Sequence, residues 1–184
     1  MKTKDVKPIL KSYGWRVMRD EVGDEFAEFT LSDRTVSIGY IARQLIKEQL
    51  LNFSPSVTND AFYKASAYIR GIKDGYSIIS AWSGIEVRAS EITEAHVRQL
   101  SDEAIAWAQA QDLEKGLSDL AALPTTCTGT RPILHLAALA VLGKIDQIRS
   151  YQASFEAGDR LGFVPYINKD FIDRAVKAAE SQAK

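Results

Sequence analysis

The sequence holds one cysteine, Cys127, and two histidines, His96 and His135, in 184 residues. A single cysteine excludes an internal disulfide framework and fits a reducing compartment. Two histidines are little from which to build a metal centre, which needs three or four convergent ligands. Long apolar runs are missing too. The N-terminal MKTKDVKPILKSYG has too few consecutive apolar residues for a signal peptide, and nothing resembles a membrane span. The expectation is a cytoplasmic protein with no membrane partner. Charge of one sign is also lacking: 23 Lys+Arg stand against 24 Asp+Glu, a net −1. Residues 1–90 carry 13 basic and 11 acidic side chains, and residues 91–184 the remaining 10 and 13. The resulting +2 and −3 are too small to imply a polyanion or a membrane surface, which argues against a dedicated nucleic-acid binder. A nucleic-acid face would need Arg16, Arg19, Arg34 and Arg43 together beside Tyr40. Strand alternation sends Arg16 and Arg19 to opposite sides. The patterns GxGxxG, GxxxxGK, GxSxG and HExxH are absent, and no cofactor is called for.

What is present is an ordinary globular composition, 46% hydrophobic and 26% charged. A chain of this length buries roughly 70% of its unfolded surface without a staple. The run WRVMRDEVGDEFAEFTLSDRTVSIGY, Trp15–Tyr40, reads as three short antiparallel strands. Strand one is Trp15–Asp20 and strand two Glu25–Leu31, joined by a turn at Val22-Gly23-Asp24. Strand three has Val36, Ile38 and Tyr40 on one face. A short amphipathic helix over 4–13 precedes them, stopped by Gly14. Ile41–Ser56 is ambiguous, since Ile41, Leu45, Ile46 and Leu50 have helical spacing; Gln49–Ser56 is read as a fourth strand. Thr58-Asn59-Asp60 caps a helix carrying Phe62, Ala65, Tyr68, Ile69 and Ile72. Tyr76–Trp82 and Ile85–Ala89 read as a hairpin around Ser83-Gly84.

From Thr93 the period becomes helical. Ser101 is expected to cap one long helix to about Leu123, followed by helices Ile133–Leu142 and Ile145–Phe155 and a last one capped by Asn168. The fold class is therefore α+β: a small antiparallel sheet with flanking helices over 1–92, then a helical region over 93–184, the two sharing one core. Ile133–Val141 is apolar around nearly its whole circumference. It must be covered by the helices 101–123, 145–155 and 168–180 or by a second subunit, which makes a homodimer contact compatible with the pattern.

The candidate chemistry lies in the loop PTTCTGTRP. Thr126, Cys127, Thr128, Thr130 and Arg131 place hydroxyls, a thiol and a guanidinium just ahead of a helix N-terminus, which favours anions and lowers a thiol pKa. Only three residues separate Cys127 from Arg131, too few for the phosphate cradle of a cysteine phosphatase. The competing reading is a capped turn in which Cys127 fills a gap. His135 lies in the apolar PILHLAALAV and reads as a satisfied core or interface histidine, although a dyad of Cys127 with either histidine stays open. The segment ILHLAALAVLGKIDQI echoes an ankyrin repeat, but stacked repeats need about three copies and the motif does not recur, so it reads as a helical hairpin. Acidic pairs Asp20/Glu21, Asp24/Glu25 and Asp102/Glu103 sit in turns or helix starts, as solvated charge does. Trp15, Trp82 and Trp107 read as core anchors.

The order helix, three strands, helix, two strands, helix over residues 4 to about 110, with the hairpin WRVMRDEVGDEFAEFTL, resembles the fold of type III secretion chaperones. That resemblance implies a protein that binds a partner polypeptide without catalysis, often as a dimer. The leading expectation is thus a non-enzymatic module, such as a chaperone, immunity-type inhibitor or adaptor, recognising another protein. Its candidate surface is the sheet face opposite the helices, with Trp15, Phe26 and Tyr40 if these are not core. The alternative is an enzyme or small-anion binder using Thr125–Arg131 with Cys127.

Overall fold

The computed structural model describes residues 1–19, 23–73 and 77–182. The readings at Asp20, Glu21, Val22, Gly75 and Tyr76 lie outside the described residues. The described chain forms an α+β fold of six strands and seven helices. They run α1 (Thr3–Ser12), β1 (Arg16–Arg19), β2 (Glu25–Thr30), β3 (Thr35–Gln44), β4 (Gln49–Thr58), α2 (Asp60–Arg70), β5 (Ser80–Ala81) and β6 (Ile85–Ala89). There follow α3 (Glu94–Gln109), α4 (Leu113–Ala121), α5 (Arg131–Val141), α6 (Ile145–Glu156) and α7 (Lys169–Gln182).

These elements fall into two compact units, each made of two stretches of chain. Unit 1 is Met1–Val57 with Ser80–Gln111, and unit 2 is Thr58–Ile79 with Asp112–Lys184. This differs from a division at residue 92: α2 belongs with the late helices and α3 with the sheet. The reason is packing partners. The buried face of α2, Phe62, Ala65 and Ile69, meets α5 and α7, whereas α3 packs on α1, β3 and β6.

In unit 1 the sheet order is β1-β2-β3-β4-β5, with β6 also paired to β4. Gln49–Thr58 is a strand, as its β-branched and aromatic content suggests. Ile38 and Ala27 face one another across β2 and β3 and are fully buried, as is Val36. Helices α1 and α3 pack on this side of the sheet. The expected hairpin around Ser83-Gly84 does not form. Both β5 and β6 run antiparallel to β4, Val57 opposite Ser80 and Phe53 opposite Ile85, with the register shifted by one residue between them. They are one edge strand interrupted by a bulge at Trp82–Gly84. Pro55 on β4 has no N–H to offer the ladder there, and its carbonyl accepts from Trp82 N at 2.9 Å. Gly84 supplies the backbone the bulge needs, at φ +133.

The long helix expected to run from Ser101 to Leu123 is two helices. Thr93 caps α3, and Ser101 sits inside it, buried and donating to the Val97 carbonyl at 2.9 Å. Asp112 caps α4 by accepting from Lys115 N at 2.9 Å. In unit 2, α5 is the central helix, with Leu136, Ala137, Ala138 and Ala140 fully buried. It is covered by α2, α4, α6 and α7 of its own chain, so the C-terminal part of the stretch 101–123 covers it as expected, and α2 is the additional neighbour. The alanines let neighbours approach closely from several sides. No helix among the described residues is long and apolar enough to cross a membrane.

Candidate functional site

The loop before α5 is a pinned turn. Cys127 N donates to the Pro124 carbonyl at 3.0 Å, Thr125 Oγ1 donates to the Leu161 carbonyl, and Tyr166 OH donates to the Gly129 carbonyl. The Thr126 methyl lies over Gly162, where a Cβ would come within 2.8 Å of it. The facing segment is held by Arg160, whose Nη2 donates to the carbonyls of Val164, Pro165 and Ile167. Thr126, Thr128, Thr130 and Arg131 are exposed, and Cys127 is half-buried. Burial pushes the Cys127 thiol up, against the lowering effects of the Arg131 charge and a backbone hydrogen bond. A nucleophilic cysteine needs the opposite shift. Thr130 is the N-cap residue of α5, but its side chain makes no capping bond. The turn reading is thus right in outline and wrong in its cap. The hydroxyl at work is that of Thr125, and it holds Leu161.

The histidines are engaged structurally. His96 Nδ1 accepts from Thr93 N at 3.1 Å, at the start of α3. His135 is fully buried, with Nδ1 at 3.2 Å from the Leu120 carbonyl and Nε2 at 3.2 Å from Tyr151 OH. A carbonyl only accepts, so Nδ1 carries the proton and Nε2 accepts from Tyr151. Tyr151 in turn accepts from Gln147 Nε2 at 2.6 Å. Burial pulls the His135 pKa down, against the bonds to the Leu120 and Ala121 carbonyls. Among the described residues no group of three or more His, Cys, Asp or Glu could hold a metal ion.

Two of the three aromatic residues expected on a partner surface are core. Trp15 is 2% exposed and packs on Phe29, while Tyr40 is 5% exposed and packs on Phe53. Burial, and then the Glu25 charge, push the Tyr40 phenol up to about 12. Both side chains serve the core, so neither can present a binding surface. Trp82 and Trp107 stack on each other with ring centres 5.8 Å apart, and both stay half-buried.

Phe26 has a different environment. It is half-buried, with Met18 directly opposite on β1 and Gly39 directly opposite on β3, so these three share one face. Ile41, two residues beyond Gly39, lies on the same face and is 56% exposed. This is the side away from Ala27, Ile38 and Tyr40. Among the described residues nothing lies within 4 Å of where a Gly39 Cβ would be. Arg16 and Glu28 form an ion pair on the same face at the next register position, and exposed Arg43 follows Ile41 along β3. Further along β3, Ser37 is buried, so the exposure on this face is at the end that carries Ile41 and Arg43. Sequence reasoning missed Met18 and Ile41. A signal for Ile41 was present: with Val36, Ile38 and Tyr40 on one face, period two sends Ile41 to the other.

A second feature lies in unit 2, a cavity of about 90 Å³ lined among the described residues by Ser66, Arg70, Ile78, Thr130, Ile133 and Leu134. Of the loop residues singled out in the sequence, only Thr130 reaches it. The chain belongs to a family of unknown function, DUF6990, whose model matches residues 2–180. No curated protein and no solved structure matches it.

Proposed function

We propose that this member of a family of unknown function binds a polypeptide segment of another protein on the open sheet face of unit 1. The observation that carries the reading is the apolar row Met18, Phe26 and Ile41, with a glycine gap at Gly39. Neighbouring strands lie about 4.8 Å apart, so a row from β1 to β3 is about 10 Å wide. That is the width of one helix with its side chains. The occupant that fits is an amphipathic helix laying its apolar stripe across the row, with its backbone closest at Gly39. The row has a charged rim, the Arg16–Glu28 pair on one side and Arg43 on the other, as interface cores usually do. Glu28 is already paired, so Arg43 asks for an acidic residue at the edge of the partner's stripe. Met18 adds an adaptable side chain suited to varied partners. The resemblance to secretion chaperones points the same way.

Selection from a displayed library of helical peptides tests this, alongside capture from source lysate with the parent protein and Ile41→Asp in parallel. Ile41 is more than half exposed, so the variant should keep its stability within about 0.5 kcal/mol. Acidic amphipathic helices should be enriched on the parent and lose at least about tenfold in affinity on the variant. Peptides or captured proteins that bind both forms equally, or no enrichment at all, would count against the proposal.

A further inference from the structure

The cavity in unit 2 is separate from the polypeptide-binding reading and rests on different observations. Three of its described lining residues, Ile78, Ile133 and Leu134, are aliphatic. Arg70, the charged one, already has a partner, so among the described residues no free charge faces the space. The polar group left over is a hydroxyl. Ser66 is 1% exposed, and its Oγ has no hydrogen-bond partner among the described residues. A serine inside a helix can donate to the carbonyl four residues back, as Ser101 does to Val97. Ser66 does not take that option, so a buried hydroxyl beside a cavity is left unpaired, and such groups are rare. The N-terminal end of α5 meets the same space through Thr130, Ile133 and Leu134. Pro132 has no N–H, and the N–H groups of Ile133 and Leu134 both return to the Thr130 carbonyl. The helix therefore contributes its positive end as a field more than as a set of free donors.

We propose that this cavity binds a small neutral aliphatic molecule carrying one oxygen acceptor, a short-chain ketone or alcohol, with that oxygen on Ser66 Oγ and its carbons against Ile78, Ile133 and Leu134. Neutrality follows from the lining, because a full charge of either sign would be buried there without a counter-charge. A single oxygen follows from the single unpaired hydroxyl. An amide would carry two N–H donors into largely aliphatic surroundings. The field of α5 favours an electronegative atom over a donor. Size follows from the volume. Benzene occupies an apolar cavity of about 150 Å³. In proportion, about 90 Å³ holds roughly four heavy atoms. That lies well below the several hundred Å³ of a drug-sized site.

NMR titration of the full chain, followed on the methyl groups of Ile78, Ile133 and Leu134, tests the proposal with acetone, isopropanol, acetate, acetamide, cyclohexanol and xenon as probes. Acetone and isopropanol should bind saturably below about 100 mM, the weak limit for so small a ligand. Acetate and acetamide should bind at least about tenfold more weakly, and cyclohexanol should be excluded by size. Xenon makes no hydrogen bonds and reports the cavity itself. Ser66→Ala removes only an unpaired hydroxyl, so the variant should fold as the parent does and hold xenon at least as well. Its affinity for acetone should nevertheless fall by about threefold or more. Absence of a saturable shift with acetone and isopropanol up to about 100 mM would overturn the site. A smaller margin over acetate or acetamide, or entry of cyclohexanol, would overturn the ligand class. A smaller loss of acetone in Ser66→Ala, or a parallel loss of xenon, would overturn the role of the hydroxyl.

Discussion

Stability should fall in mild acid because of one side chain, His135. In the unfolded chain its imidazole titrates near ~6.5. In the fold, burial holds the pKa lower. The hydrogen-bond chain resists protonation too, because Nε2 already accepts from Tyr151 OH while Nδ1 faces the Leu120 carbonyl. A proton on Nε2 would set two donors against each other and force Tyr151 to turn away. Below pH ~6.5 the unfolded chain takes up a proton that the folded chain refuses, so the contribution is fully present above that pH. It is lost as pH falls toward the folded pKa, at no more than about 1.4 kcal/mol per pH unit. Glu25, held down at about 2 chiefly by hydrogen bonds from Lys7 and Arg19, titrates far below this window. The assay is urea denaturation from about pH 7.5 to about pH 5.5, on the parent and on His135→Gln. Glutamine can still donate toward Leu120 and accept from Tyr151, but it does not titrate. The parent should lose stability on acidification, and the variant should start lower and show a flatter curve. A flat parent curve, or a slope that survives in the variant, refutes the reasoning.

Two further outcomes concern packing and alkaline pH. Gly116→Ala puts a Cβ 2.6 Å from Ile79 Cγ2, an overpacking that should cost about 1–3 kcal/mol. Ile79→Leu lacks that methyl, so the double variant should recover much of the loss in denaturation experiments. Tyr40 is pushed up to about 12, so the unfolded phenol ionises first and stability should fall as pH rises above ~10. Tyr40→Phe should flatten that alkaline limb, as thermal melts across pH would show.

Where local patterning dominates, the sequence was legible. Strand alternation put Val36, Ile38 and Tyr40 on one face, Asn59 capped α2 through Phe62 N, and the apolar circumference of α5 marked its burial. What failed depended on partners distant in the chain. Ser83-Gly84 carries hairpin chemistry, but the preference of β5 and β6 for β4 turned it into a bulge. Ser101 has the chemistry of a cap, yet Thr93 lies where α3 begins. Tyr40 and Phe26 are both aromatic strand residues, and only the pairing register separates the buried one from the half-buried one. The cavity was invisible because Ser66 and Thr130 are 64 positions apart and belong to elements that looked unrelated.

The interleaving of the two units also bears on how the chain folds as it leaves the ribosome. Synthesis delivers residues 1–57, then α2, and only later Ser80–Gln111, which completes unit 1. Helix α2 therefore emerges before either unit is finished. Its Phe62 and Ile69 stay unburied until α5 and α7 appear, more than 60 residues downstream. Vectorial folding, in which an N-terminal domain closes before the next begins, is not open to this chain. A nascent polypeptide halted near residue 92 would hold a sheet without α3 and an α2 without its bundle. Unit 1 can close once Gln111 has emerged, whereas α2 waits for α5 and α7 before unit 2 can do the same.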